Sequence, residues 1–178
     1  MSGKLLVLSD IHGNMPAAVA VLRWAAGELA GSDMGVFLGD GLRELSLAQQ
    51  QTGFSCEWKK VRGNNDLITT APETDVFDFM GHRFYLCHGH RHALYNGFDK
   101  IIGGALKAGA DAALFGHIHV PHLEDANGLL LACPGSLGRA RSGAGETFAL
   151  IDCMPEKPLS ARFWGIDPVC NITELTIK

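Results

Sequence analysis

Short apolar runs that each close on a glycine-flanked polar loop set the frame of this chain. Leu5-Leu6-Val7-Leu8 runs into Asp10-Ile11-His12-Gly13-Asn14 and then into a long Ala/Val/Leu-rich segment that opens with Pro16. The order reads as strand, tight loop, helix, because proline suits the first helical turn, where its missing N–H costs nothing. Val19, Leu22, Ala26 and Leu29 follow at helical spacing, and Gly31 is a natural stop. The same sentence repeats. A strand over residues 35–38 ends in Gly39-Asp40-Gly41, a helix covers about 42–51, and a strand over about 56–61 ends in Arg62-Gly63-Asn64-Asn65-Asp66. Strands that alternate with helices in this way imply a parallel sheet with helical crossovers. The first strand is apolar enough to be buried on both faces.

Beyond a Thr/Pro-containing loop the pattern turns to hairpins. Residues 76–80 and 83–87 flank Gly81-His82, and the second arm runs into Cys87-His88-Gly89-His90. A helix over about 98–108 follows, with Ile101, Ile102, Ala105 and Leu106 as its apolar stripe. A strand over 111–115 ends in Gly116-His117-Ile118-His119. Strands over 119–123 and 129–133 flank a turn at Asp125-Ala126-Asn127-Gly128. A Gly-rich loop from Pro134-Gly135-Ser136 to Gly145 leads to strands over 147–152, 160–164 and 172–177. No repeat or linker interrupts the chain, so residues 1–178 are expected to form one α/β domain of two facing sheets with helices outside.

Bulk properties narrow the function classes. The chain has 178 residues, 47% of them hydrophobic, which suffices for a sizeable core. A net charge of −4 with no Lys/Arg run argues against duplex nucleic acid as a general partner and against a single-strand groove. The five cysteines are odd in number, widely spaced and without Cys-X-X-Cys, which reads as reduced, mostly buried thiols. The chain enters its first strand at once and has no apolar run of bilayer length, so a cytoplasmic protein without membrane partners is expected. Self-association is an open expectation, since the Trp- and Phe-bearing strands near the C-terminus can leave an edge exposed.

The polar residues that close the runs are Asp10, His12, Asp40, Asn64, His88, His117 and His119, and all fall at the carboxyl ends of their strands. Ligands of open α/β sheets bind there. Asp10 and His12, two apart in extended backbone, would point to one side and share one cation. Singly, each residue has an ordinary reading: Asp10 and Asp40 as helix caps, Asn64 as a turn residue, the histidines as surface groups. Together they form a set of imidazole, carboxylate and amide donors without thiolate, which suits Mn, Fe(II), Ni, Co or Zn better than a structural zinc. The set exceeds the needs of one ion, so two are expected. Asn14 is placed to hold the Asp10/His12 loop, and Arg139 and Arg141 are phosphate candidates from the Gly-rich loop. His82 reads as a hairpin residue, His92 and His122 as rim residues, and the three tryptophans as core.

The ordered motifs Asp-X-His, Gly-Asp, Gly-Asn-Asn-Asp, His-Gly-His and Gly-His-X-His resemble those of the calcineurin-like metallophosphoesterase superfamily, and within it the small prokaryotic phosphodiesterase branch. The resemblance spans Ser9 to Pro134-Gly135-Ser136. It implies a four-layer αββα sandwich of two mixed sheets flanked by helices, the metallo-dependent phosphatase-like fold. It implies that Asp10, His12 and His119 hold one metal, that Asp40 bridges, and that Asn64, His88 and His117 complete a second site, with Mn favoured. A hydroxide between ions about 3.5–4 Å apart would attack phosphorus in line. Asp40 and Asn64 would thus belong to the catalytic set.

The chain departs from the family pattern in one place that bears on mechanism. Many members carry His after the metal-binding Asn, where it serves as the acid for the leaving group; here that position is Asn65, followed by Asp66. An amide is no acid at neutral pH, so either the leaving group departs easily or another residue donates, for which His90 is the candidate. The expected activity is therefore hydrolysis of a small phosphodiester. A phosphomonoesterase is the alternative, and a protein-binding scaffold, as a retromer subunit of this fold is, the more distant one. Cys133 also stands where the family usually shows Asn.

Overall fold

In the computed structural model, which describes residues 2–177, strand β1 (Gly3–Leu8) is sandwiched between two cores. Leu5 and Val7 face one side and Leu6 and Leu8 the other, and none of the four is more than 1% exposed. A strand buried on both faces must be central and covered by a layer on each side. Helix α1 (Met15–Glu28) follows, then β2 (Met34–Phe37), α2 (Leu42–Thr52) and β3 (Glu57–Lys60). β2 pairs parallel to β1 and β3 parallel to β2, as helical crossovers require. The chain then builds β4 (Thr74–Phe79), β5 (His82–Cys87), α3 (Asp99–Lys107), β6 (Ala112–Phe115), β7 (Pro121–Ala126) and β8 (Leu129–Pro134). It returns with β9 (Glu146–Cys153), β10 (Ser160–Ile166) and β11 (Ile172–Leu175).

Two mixed sheets result, one in the order β11-β10-β9-β1-β2-β3 and the other β4-β5-β6-β8-β7. Their facing sides bury one core in which Leu5, Val7 and Val36 meet Phe84, Leu86 and Leu114. Period-two alternation sends the other residues outward. Leu6, Leu8 and Phe37 pack under α1 and α2, and Tyr85, Cys87, Ala113 and Phe115 pack under α3. The four layers are therefore helix, sheet, sheet, helix.

Several local expectations change in the folded chain. α1 ends at Glu28 and Leu29 is extended, so Ala26 is solvent-facing and Gly31 caps nothing. The Asp33 carboxylate stops the chain here, accepting from Ala30 N and Lys4 N at 2.7 Å each. In α3 only Ile101 and Ala105 are fully buried; Leu106 is 62% exposed, because a nine-residue helix over a narrow sheet covers one ridge. β7 starts at Pro121, not His119, since His119 is held at φ 61° in the preceding loop. The β7–β8 turn is Asn127-Gly128 and the β4–β5 turn is Met80-Gly81, each pair with positive φ, as two-residue hairpins demand. His82 is thereby the first residue of β5. Trp24, Phe148 and Trp164 form one aromatic cluster, with ring centroids 4.9–5.7 Å apart.

Candidate metal centre

The carboxyl ends of the strands are stitched together by their loop backbones. Asp10 N donates to Gly39 O (2.9 Å) and His12 N to Asp40 O (3.3 Å), joining the loops after β1 and β2. Gly116 N donates to His88 O (3.0 Å), joining those after β5 and β6. His117 N donates to Asp10 Oδ2 (3.0 Å) and Gly138 N to Asp10 O (3.0 Å), which ties the two sheets at this end. Gly63 sits where no side chain fits, since a Cβ there would lie 2.1 Å from Asp40 Oδ1.

Two groups of donors emerge that share Asp10. One is Asp10, His12 and His119, the other Asp10, Asp40 and His88, with the ligand atoms of each group within 4.8 Å of one another. Asp10 Oδ1 lies 3.0 Å from His119 Nε2, 3.4 Å from His12 Nε2 and 3.9 Å from His88 Nε2. Asp40 Oδ2 lies 3.6 Å from His12 Nε2 and 3.5 Å from His88 Nε2, and so faces both groups. Asp10, Asp40, His88 and His119 are all buried.

Hydrogen bonding fixes what these atoms offer. His88 Nδ1 contacts Leu38 O at 2.7 Å and His119 Nδ1 contacts Arg139 O at 2.8 Å. A carbonyl only accepts, so each Nδ1 carries a proton, and Nε2 is the ring nitrogen turned toward the carboxylates and able to offer a lone pair to a cation. Asp10 Oδ1 and His88 Nε2 are buried without a hydrogen-bond partner. A buried polar atom left without a partner is costly, and a cation held between these carboxylate and imidazole donors would satisfy them. The donor set therefore fits divalent metal ions.

Burial alone would raise the Asp10 carboxyl, but the adjoining His119 and His12 imidazoles, the charge of His88 and the Ser9 hydroxyl hold it well below the usual carboxylate range. Asp40 is lowered in the same way, against burial, by His88 and by Asn65. Burial would lower His88, yet Asp40 and Asp10 raise it. Burial, then the neighbouring His88, lower both His90 and His117.

Backbone strain marks the same residues. Asp10, His12, Asp40, His117 and His119 all have φ between 45° and 72°, a region that side-chain-bearing residues rarely occupy. Asp10 and His12 thus reach one place through a left-handed turn, not through extended backbone as the spacing implied. Asp40 is not a helix cap either. The α2 N-cap is Gly41, and the free N–H groups belong to Asp66, whose Oδ2 accepts from Asp40 N (2.7 Å) and Gly63 N (2.9 Å) and Oδ1 from Gly41 N and Leu42 N (3.0 Å each).

The remaining candidates divide. The His117 ring lies 5.1 Å from that of His88, and His90 is 5.4 Å from His88 and 6.3 Å from His117. Asn64 is exposed, and it is Asn65 that reaches Asp40, through both its backbone N and its amide. Asn14 caps α1 through Ala17 N (3.3 Å) and donates to Leu137 O (2.8 Å), tying the first loop to the Gly-rich one. Arg139 serves the site with its carbonyl, while its exposed side chain makes no hydrogen bond among the described residues. His92 is half-buried beside His90, and His122 packs on Phe98 at 4.7 Å. Sequence reasoning missed Ser9, which donates to Asp10 Oδ2, and Ser136, which donates to Asp10 O (2.9 Å) and accepts from Gly138 N and Arg139 N. Their adjacency to Asp10 and to the Gly-rich loop was the available signal.

Comparison with known proteins places this geometry. The family model of the calcineurin-like phosphoesterase superfamily domain matches residues 4–156. A probable metallophosphoesterase of Mycoplasma pneumoniae is 33% identical over 137 residues, 75% of this chain and 79% of that protein. The phosphodiesterase YfcE of Escherichia coli K12 is 28% identical over 170 residues, 84% of this chain and 87% of its own. Among solved structures, a conserved Streptococcus pneumoniae protein described as a predicted phosphoesterase superposes with a TM-score of 0.77 at 22% identity, covering 98% of this chain and 99% of that one. Vps29 of Entamoeba histolytica, solved with Zn²⁺, superposes with a TM-score of 0.76 at 18% identity, covering 97% and 98%. The chain belongs to the calcineurin-like phosphoesterase superfamily.

Proposed function

We propose that this phosphoesterase is a cytoplasmic phosphodiesterase that hydrolyses a small phosphodiester at two divalent transition-metal ions, Mn favoured, with residues 1–178 acting as one domain. The observation that carries the reading is the pair of donor groups joined through Asp10 and faced by Asp40, with partnerless Nε2 and Oδ1 atoms aimed into the space between them. Bound divalent cations supply Lewis acidity toward phosphoryl oxygens and lower the pKa of water into the neutral range. His12, His119 and Asp10 would hold one ion and His88 and Asp40 the other, with His117 and Asn64 as the remaining donors. Asp40 would serve both groups, since its Oδ2 lies 3.6 Å from His12 Nε2 and 3.5 Å from His88 Nε2.

The chain's own residues set the preference for diesters. The Asn65 amide donates to Asp40 Oδ2 and has no proton to give a leaving group. Of the residues near the centre, His90 is the candidate donor, on the loop that follows His88. A leaving group that departs as a stable anion needs no donor, so the aryl diester is the favoured test substrate.

The test is hydrolysis of an aryl phosphodiester beside its monoester by chelator-treated protein with Mn²⁺ added back. Mn²⁺-dependent turnover of the diester is expected. Turnover of the monoester alone would assign the protein to the phosphomonoesterases, and stoichiometric metal binding without turnover would sink the enzymatic reading. Asp40→Ala is expected to reduce kcat by roughly 10²–10³-fold or more, the scale of losing a preorganised group at the reacting centre, with the circular dichroism spectrum unchanged.

A further inference from the structure

A cleft of about 340 Å³ leads away from His12 and Asp40, lined by the first turn of α2 from Leu42 to Glu44 and by the loop 65–69. Leu67 in that loop is 86% exposed and Ile68 100%. Single exposed aliphatic residues are ordinary on any surface, but two in succession on the wall of a cleft that begins at metal donors are not. Nor is this loop a slack connection. Arg62 N donates to Pro72 O (2.8 Å) and closes its ends, the Asp66 carboxylate binds four N–H groups immediately before the pair, and Ala71 N donates to Thr69 Oγ1 (3.0 Å) immediately after. The backbone is held while the two side chains cover nothing. Arg43 also lines the cleft, is exposed and has no carboxylate partner among the described residues, so its guanidinium is not engaged in an ion pair.

We propose that this cleft is the subsite for an organic substituent of the phosphoester, and that it takes a flat, uncharged, apolar group of about the size of one aryl ring system. The proposal rests on the phosphoesterase reading above. Its volume lies at the low end for small-ligand clefts, enough for one such group and too little for a polymer. Leu67 and Ile68 cover one face of the ring, and Arg43 is placed to stack on it. Glu44 on the same wall opposes a second phosphoryl group, so the substituent is neutral.

The test is calorimetric titration of the Mn²⁺-loaded protein with phenylphosphonate and methylphosphonate, which share the metal-binding group and differ in the substituent. The wild type is expected to bind phenylphosphonate roughly tenfold more tightly, as burial of one ring face predicts. In Leu67→Ser/Ile68→Ser that preference collapses to about twofold or less, with the urea midpoint unchanged because neither side chain packs on the protein. Equal affinities in the wild type, or a preference that survives the double substitution, overturn the subsite while leaving the metal centre standing. Binding of neither phosphonate overturns the phosphoesterase reading and the subsite with it. A wild-type dimer in sedimentation that the double variant abolishes also overturns the subsite, because it assigns the pair to a contact between copies.

Discussion

Asp66 is the residue on which most of the site's backbone converges. Its two oxygens accept four N–H groups from the start of α2 and from the loops that carry Asp40 and Asn64. In Asp66→Asn one oxygen becomes an amide nitrogen that faces two donors. A loss of about 3 kcal/mol in urea unfolding is expected, the cost of two charge-assisted bonds, with weaker Mn²⁺ binding in the same protein. Asp66→Glu, which keeps the charge and shifts its position, should recover part of the stability and less of the metal affinity. The thiols give a second residue-scale prediction. Burial pushes Cys87 and Cys153 up to about 12, and pushes Cys133 up as well. A folded-state value above the unfolded one means that the native state keeps protons the unfolded chain releases. That stability is complete below the unfolded value near 8.5 and is lost as pH rises toward 12. Between pH 9.5 and 11.5 denaturant stability should fall by up to about 1.4 kcal/mol per pH unit per buried thiol, and Cys87→Ser should flatten the slope.

At the scale of elements, the loops matter more than the strands they join. The loop after β3 passes so close to the loop after β2 that a Cβ on Gly63 would overlap the Asp40 carboxylate and its backbone nitrogen. Gly63→Ala is therefore expected to displace Asp40. It should cost at least tenfold in Mn²⁺ affinity, while the inter-sheet core, and with it the near-UV spectrum of the Trp24/Trp164 cluster, stays intact. A Gly143→Ala control, where nothing lies within 4 Å of the added Cβ, should change neither. The elements themselves were legible because their periodicity is local: β1, the two parallel pairings and the β4–β5 hairpin follow from apolar runs and turn residues. Their ends were not. α1 stops at Glu28 because Asp33 captures two backbone donors, one of them in β1, and no pattern within α1 contains that. The start of β7 was misplaced for the same reason, since His119 is drawn out of line by Arg139 O, 20 residues away.

For the whole molecule, the donors come from loops of both sheets, Asp10 and Asp40 from one and His88 and His119 from the other, so metal binding and folding should be linked. A ligand that binds only the folded state at 100 times its Kd adds about 2.7 kcal/mol. For a chain of this size that corresponds to a rise in Tm of roughly 5–10 °C. Scanning calorimetry of chelated protein with and without Mn²⁺ checks this, and Asp10→Ala, which removes the group common to both donor sets, should abolish the rise. No helix among the described residues is long and apolar enough to cross a membrane.

What the sequence by itself determined is the kind of protein: layers from alternating apolar runs and donors of the right chemistry at the strand ends, both written in residue type and spacing, which the chain carries before it folds. That Asn65 stands where an acid is usual came from the family resemblance. The tertiary structure decided how the donors meet. It set five of them in left-handed backbone, turned the Nε2 atoms of His88 and His119 inward by engaging their Nδ1–H groups with Leu38 O and Arg139 O, and put Asn65 rather than Asn64 against Asp40. Those outcomes depend on which backbone carbonyl lies across the sheet, 20 to 50 residues away along the chain. No local pattern encodes that distance, because it exists only once the two sheets have packed.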